Sequence, residues 1–171
     1  MAIPDSTTTS CTEIICPTPE CKPTFDTLLK MPIGTTMDLF QILDCCQSLV
    51  DALIETDDNN NRMALCGRLY AALKVSEVVL KAPLPASLIE RLTADVAEAE
   101  DYCCPLSADS ETLREYCAAL TLLLLQHQQP PEQEEQIAGV LYELIGVLNE
   151  DLKAPRFVRT TDGLLKPSEI H

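Results

Sequence analysis

The cysteines are the residues of this chain with the widest possible chemistry, because thiolates bind zinc and react with oxidants. There are nine of them, and Cys11, Cys16 and Cys21 follow one another with four residues between neighbours. Zinc sites usually contain closer pairs such as Cys-x2-Cys, and this sequence has none. We therefore expect mostly free thiols, no metal and no other cofactor. Zinc held by the N-terminal cysteines, or disulfides among them, are the alternatives.

Histidines are too few to support most catalytic arrangements, since His127 and His171 are the only two. A nucleophile needs an adjacent base, and di-metal carboxylate bundles need Glu-x-x-His motifs, which this sequence lacks. His127 is expected to lie at the end of a helix, facing the negative end of the helix dipole. Glycine-rich phosphate-binding loops are also missing. We expect no catalytic residues and a protein that is not an enzyme.

The charge of the chain is strongly acidic and unevenly distributed. The formal net charge is −15, which repels nucleic acids and anionic lipid surfaces and attracts basic proteins. Residues 1–35 sum to −2, 36–81 to −3, 82–152 to −12 and 153–171 to +2. We expect no direct contact with nucleic acid or membrane. The acidity could serve solubility alone, or it could present carboxylates to a basic partner.

The apolar pattern predicts an all-α protein of about five helices in an antiparallel bundle. Prolines or an Asn-rich stretch separate the amphipathic segments. The predicted helices cover 37–55, 62–81, 86–103, 110–128 and 132–152. The segment 120–125 is apolar nearly all round, which predicts that the fourth helix is central, with Leu122 or Leu124 buried. We divide the chain into an irregular N-terminal arm at 1–35, a helical domain at 36–152 and a tail at 153–171. An Asp-Gly turn signal in the tail is typical of a short hairpin.

An internal repeat relates the second and fifth predicted helices. At an offset of 72 residues, 8 of the 18 positions from 66 to 83 are identical, including a Gly-x-Leu-Tyr block and a Leu-Lys-Ala-Pro block. The same offset pairs Cys45 with Cys117 and Leu53 with Leu125 in the first and fourth helices. The pattern predicts two duplicated helical hairpins joined by the third helix, because a lone hairpin buries too little apolar surface.

These patterns favour a small protein that binds another protein. The leading hypothesis is a stoichiometric inhibitor or antidote of a basic, nucleic-acid-binding type of partner, by analogy of type with immunity proteins and phage anti-CRISPR proteins. The alternatives are a helical adaptor or chaperone-like protein with an apolar groove, and a zinc- or redox-responsive module on the N-terminal cysteines. The candidate partner-binding residues are carboxylates on predicted helix faces: Glu90, Glu98, Asp101, Glu132, Glu134 and Glu135.

The sequence also bears on location in the cell. The N-terminus lacks the basic stretch and apolar run of a signal peptide, and several cysteines fall on apolar helix faces. No apolar run approaches the ~18 residues of a membrane span. We expect a cytoplasmic protein in a reducing setting, and the sequence leaves its oligomeric state open.

Overall fold

A computed structural model describes residues 23–95, 104–160 and 163–165. Within them the chain is mostly helical, with little strand, in agreement with the all-α prediction. The helices are α1 (Phe25–Lys30), α2 (Leu39–Glu55), α3 (Asn59–Lys81), α4 (Ala86–Arg91), α5 (Ser110–Gln126) and α6 (Pro131–Lys153). The strands are β1 (Thr93–Asp95), β2 (Phe157–Thr160) and β3 (Gly163–Leu165).

Aspartates set the starts of three long helices. The carboxylates of Asp38, Asp58 and Asp109 each accept a hydrogen bond from the backbone N–H three residues on, which satisfies a donor that the helix itself leaves unpaired. Because Asp58 is a cap, α3 begins at Asn59, three residues before the predicted start at 62. The fourth long helix, α6, begins at Pro131, whose missing N–H costs nothing at a helix start.

The four long helices form a bundle in which each packs against two others. The main contacts join α2 to α3, α3 to α5, α5 to α6 and α6 to α2. The core is aliphatic with several buried thiols, as the composition predicted. The side-chain amide of Asn149 in α6 donates to the Leu43 carbonyl and to Gln47 in α2, and Lys153 Nζ lies 2.5 Å from Asp44 Oδ1. In this arrangement α5 is no more central than its neighbours.

The N-terminal arm contains a helix where an irregular segment was expected. Short as it is, α1 packs against both α2 and α3, and its Leu28 is only 2% exposed. Thr24 caps it, and the guanidinium of Arg68 in α3 donates to the carbonyl of Met31 directly after it. Burial of one leucine and these polar contacts stabilise a helix that is too short to persist alone.

The third predicted helix, 86–103, is wrong in its extent. It ends at Arg91, and the chain continues as β1, which pairs in parallel with β2 of the tail. The backbone N–H groups of Arg156 and Phe157 both donate to the Leu92 carbonyl, and Val158 is 1% exposed. The tail therefore attaches to the bundle. β2 also pairs antiparallel with β3 on the other side.

The two long helix pairs match in length. α2 and α5 each have 17 residues, and α3 and α6 each have 23. α3 and α6 start and end 72 residues apart, while α2 and α5 are offset by 71. The offset of 71 pairs buried Cys46 with buried Cys117, and buried Leu53 with buried Leu124. The sequence offset of 72 pairs Cys117 with Cys45 instead.

Candidate protein-binding surface

The structure does not bring the six predicted carboxylates together on one surface. Glu90 in α4 is exposed, but its Oε1 lies 2.5 Å from Arg159 Nη2, so the tail already contacts it. Glu98 and Asp101 lie outside the described residues. Glu132 and Glu135 are exposed in the first turns of α6, as expected for a binding surface.

Glu134 is the clearest correction among them, because it is buried and already paired. Its exposed fraction is 8%, and its Oε1 lies 2.6 Å from Nδ1 of His127. His127 closes α5 in the left-handed conformation, with φ 49°, and its Nε2 lies 3.2 Å from Nδ2 of Asn59. The three side chains join the ends of α5, α6 and α3. Glu134 therefore holds the fold and is not available to a partner.

Apolar side chains are exposed where α5 meets α6. Tyr116 is 52% exposed and Val140 is 53% exposed. Arg114 faces Glu77 of α3, so the opposite edge of α5 faces α6, and Asp151, which accepts a hydrogen bond from Ser110, marks the side of α6 that faces α5. Helical spacing then places four residues along the outer edge of the α5–α6 contact. We call them the open seam: Tyr116, Leu123, Val140 and Val147.

Carboxylates border the open seam on α6, where Glu132, Glu143 and Glu150 are exposed. The exposed carboxylates of α5, Glu111 and Glu115, lie on the other side of that helix, 3.6 Å from Lys81 Nζ and 3.5 Å from Arg114 Nη2. Residues 104–153 contain nine acidic and two basic residues, a net charge of −7. Neither basic residue offsets the seam: Arg114 is 3% exposed, and Lys153 points to Asp44 on α2. The surface is thus an apolar strip with an acidic rim.

Sequence reasoning missed Tyr116, Val140 and Glu143. The sequence signal for this surface was the apolar character of residues 120–125 on all sides, which by itself predicts a central helix. Leu124 is buried, as predicted, but Leu122 is 43% exposed. The excess apolar residues of α5 therefore reach the surface, and an apolar surface with a polar border is typical of an interaction site.

A charged cluster holds α3 to α5. Glu77 accepts hydrogen bonds from Lys74 and Lys81, and Nη1 of Arg114 lies 3.6 Å from Glu77 Oε2. These cations lower the pKa of Glu77 to about 2. Nε of the buried Arg114 has no hydrogen-bond partner among the described residues. Glu111 pairs with Lys81 and Glu115 with Arg114, so three carboxylates match three cations, and we assign the cluster to helix packing and not to ligand binding.

Of the five described cysteines, Cys45, Cys46, Cys66 and Cys117 are buried free thiols, and Cys104 is partly buried. Burial raises the pKa of Cys66 to about 11 and that of Cys117 to about 12. It raises the pKa of Cys46 further, and the neighbouring Cys45 and Cys117 add to the effect. Within the described ranges no group of three metal-binding side chains is found. The three N-terminal cysteines lie outside those ranges.

A second exposed apolar feature lies beside the start of α2. A cleft of about 280 Å³ is bounded by the first residues of α2, the last turns of α3 and the proline-rich link to α4. Val78 and Leu84, which line it, are 56% and 37% exposed. Asp38 is its one charged lining residue, so this cleft lacks the acidic border of the open seam.

Comparison of the chain with protein-family models, with curated proteins and with solved structures found no match. Among the helices of the described residues, none combines the length and apolar character that crossing a bilayer requires. The function must therefore be inferred from the surface of the protein.

Proposed function

We propose that this protein binds a basic protein stoichiometrically through the open seam and its acidic rim, and that it acts as an inhibitor or antidote by covering the partner's basic surface. The observation that carries the proposal is the charge arrangement on α5 and α6. Exposed carboxylates of α6 border exposed apolar side chains, and both basic residues of residues 104–153 are turned away or buried.

The arrangement costs stability and folding does not need it. Like charges on one face repel one another, and a half-exposed tyrosine and valine forgo part of their burial free energy. Interfaces commonly combine an apolar centre with a polar rim, and charge complementarity mainly raises the association rate. A basic partner would bury apolar surface against the centre of this surface and would associate faster because of the acidic rim.

The test begins with capture of partners from the native cell under crosslinking, identified by mass spectrometry. The recovered partner is then purified for association kinetics with the wild type and a triple variant, Glu132→Lys, Glu143→Lys and Glu150→Lys. The matched control is Asp26→Lys, Asp51→Lys and Asp57→Lys, which makes the same change in charge outside α5 and α6.

We expect the α6 variant to associate at least about tenfold more slowly at low salt, with the difference shrinking at high salt because ions screen exposed charges. The control should stay close to the wild type. Equal slowing by both variants would mean that net charge alone acts, and recovery of acidic partners only would rule the proposal out.

The apolar cleft beside α2 favours a second candidate function, a helical adaptor. Val78 and Leu84 would contact an apolar segment of the client, and binding would tolerate salt because little charge lines the cleft. A Val78→Asp variant that abolishes capture of the partner, while the α6 triple variant does not, would make the adaptor the better proposal.

We also infer that the helical domain is an antiparallel bundle of two duplicated hairpins, α2–α3 and α5–α6. The equal helix lengths and the constant offsets support this, as do the identities between α3 and α6. An experimental structure in which the two pairs fail to superpose would contradict it.

A further inference from the structure

We infer that the open seam between α5 and α6 is the unfilled counterpart of the seam that α1 covers between α2 and α3, and that it receives a short basic amphipathic helix of the partner. This inference rests on the proposed function and specifies how the partner binds.

The equivalence follows from the matched helices. Applying the offsets of 71 and 72 to the four residues of the open seam gives four positions on α2 and α3. We call these the covered seam: Cys45, Ala52, Arg68 and Val75. The comparison of exposure depends on two of these pairs, Cys45 with Tyr116 and Arg68 with Val140.

The covered seam lies at α1. The Arg68 guanidinium donates to the carbonyl of Met31, at the end of α1. Cys45 is 3% exposed, and the nearby Arg68 charge partly offsets the rise of its pKa by burial. Leu28 of α1 joins the same core cluster as Cys45, with Phe25 and Met31 packed against that cluster. A short helix with one deeply buried leucine thus closes the space between two long helices.

The open seam has no such cover among the described residues. Tyr116 and Val140, which correspond to Cys45 and Arg68, are both about half exposed. Residues nearer the core are also less buried beside the open seam than beside the covered seam. Leu49 and Leu65 are fully buried, whereas their equivalents, Leu120 and Ile137, are only partly buried. Only α3 and α6 make extensive contacts with α5 among the described elements.

The negative charge around the open seam indicates what kind of segment binds there. A second copy of this chain would bring a net charge of −15 to an acidic rim. The segments of the chain outside the described residues are no better suited, since residues 1–22 sum to −2, residues 96–103 to −3, and residues 161–162 and 166–171 together to −1. A helix with apolar residues on one side and Lys or Arg on the other meets both the strip and the rim.

A direct experiment uses the full chain, labelled with 15N, and two synthetic peptides. The first is a lysine–leucine peptide with leucines at helical spacing, about 14 residues long because shorter helices are marginal in water. The second has the same composition in a scrambled order that is not amphipathic. Backbone amide shifts report where each peptide binds, and their concentration dependence reports how tightly.

Paired substitutions locate the contact. Tyr116→Ser with Val140→Ser removes the exposed apolar side chains of the open seam. Ile54→Ser with Leu106→Ser removes two others that are 45% and 39% exposed elsewhere, so both variants lose apolar surface without any change in charge. We expect saturable shifts around residues 116–123 and 139–147 with the amphipathic peptide, at least about tenfold weaker binding by the first variant, and unchanged binding by the second.

Three other outcomes would contradict the inference, and each has a different pattern of binding. If the scrambled peptide binds as well and both variants bind normally, the acidic surface acts by charge alone, and the proposed function stands without the helix. If the shifts centre on Leu28 and Cys45, the peptide displaces α1 and the open seam is not the site. If neither peptide binds, the inference and the proposed function both lose their basis.

Discussion

Nδ1 of His127 and Oε1 of Glu134 lie 2.6 Å apart, and this contact joins the residue that closes α5 to the first turns of α6. The carboxylate is almost fully buried, so its partner cannot be replaced readily by water. Glu134→Ala should lower the free energy of unfolding by about 1–3 kcal/mol, because it removes a hydrogen bond to a charged group. Urea unfolding checks this. The neighbouring Glu135→Ala, an exposed position, should stay within about 0.5 kcal/mol of the wild type. Equal effects at both positions would show that the contact contributes nothing.

Leu122 and Leu124 provide a matched pair on α5. Leu124 is 5% exposed and Leu122 is 43% exposed. Leu124→Ala should lower the free energy of unfolding by about 2–5 kcal/mol, because truncation leaves a cavity in the core. Leu122→Ala should cost well under about 1 kcal/mol, since its side chain is partly in water already. Thermal or urea unfolding of the two variants measures both losses of stability. A larger loss at Leu122 would mean that α5 faces the bundle with another side.

Glu77 predicts a pH dependence of stability. Hydrogen bonds from Lys74 and Lys81, with the charge of Arg114, lower the pKa of Glu77 from 4.5 to about 2. A carboxylate whose pKa is lower in the folded state contributes stability above its unfolded pKa, and this contribution is lost as the pH falls towards its folded pKa. The wild type should therefore lose more stability between pH 4.5 and about 2 than Glu77→Gln does. Urea midpoints measured across that range check the difference, and parallel curves would contradict it.

Alkylation rates should rank the described cysteines. The raised pKa of Cys46, Cys66 and Cys117 keeps these thiols protonated near pH 8, and protonated, buried thiols react slowly. Cys104 is only partly buried, so iodoacetamide should modify it first among the five. Peptide mass spectrometry of timed samples gives the order. Early modification of Cys46 or Cys117 in the folded protein would mean that the core opens often at that point.

Local chemistry made much of the fold predictable from the sequence. Prolines mark several ends of the long helices, and the apolar period marks their inner faces, since each of these effects acts within about one or two turns. The identities at an offset of 72 were visible as well, because blocks such as Leu-Lys-Ala-Pro occur at the ends of both α3 and α6.

Contacts between distant segments decided the rest. The helix that begins at Ala86 ends at Arg91 because the Leu92 carbonyl and β1 pair with residues 156–159 of the tail. Glu134 looked like any other surface carboxylate of an acidic helix start until His127 was placed beside it. No local pattern distinguishes the two seams either. Cys45 and Arg68 are shielded by α1, whereas Tyr116 and Val140 remain open to solvent, and burial of this kind depends on what packs across a helix pair rather than on the pair's own sequence.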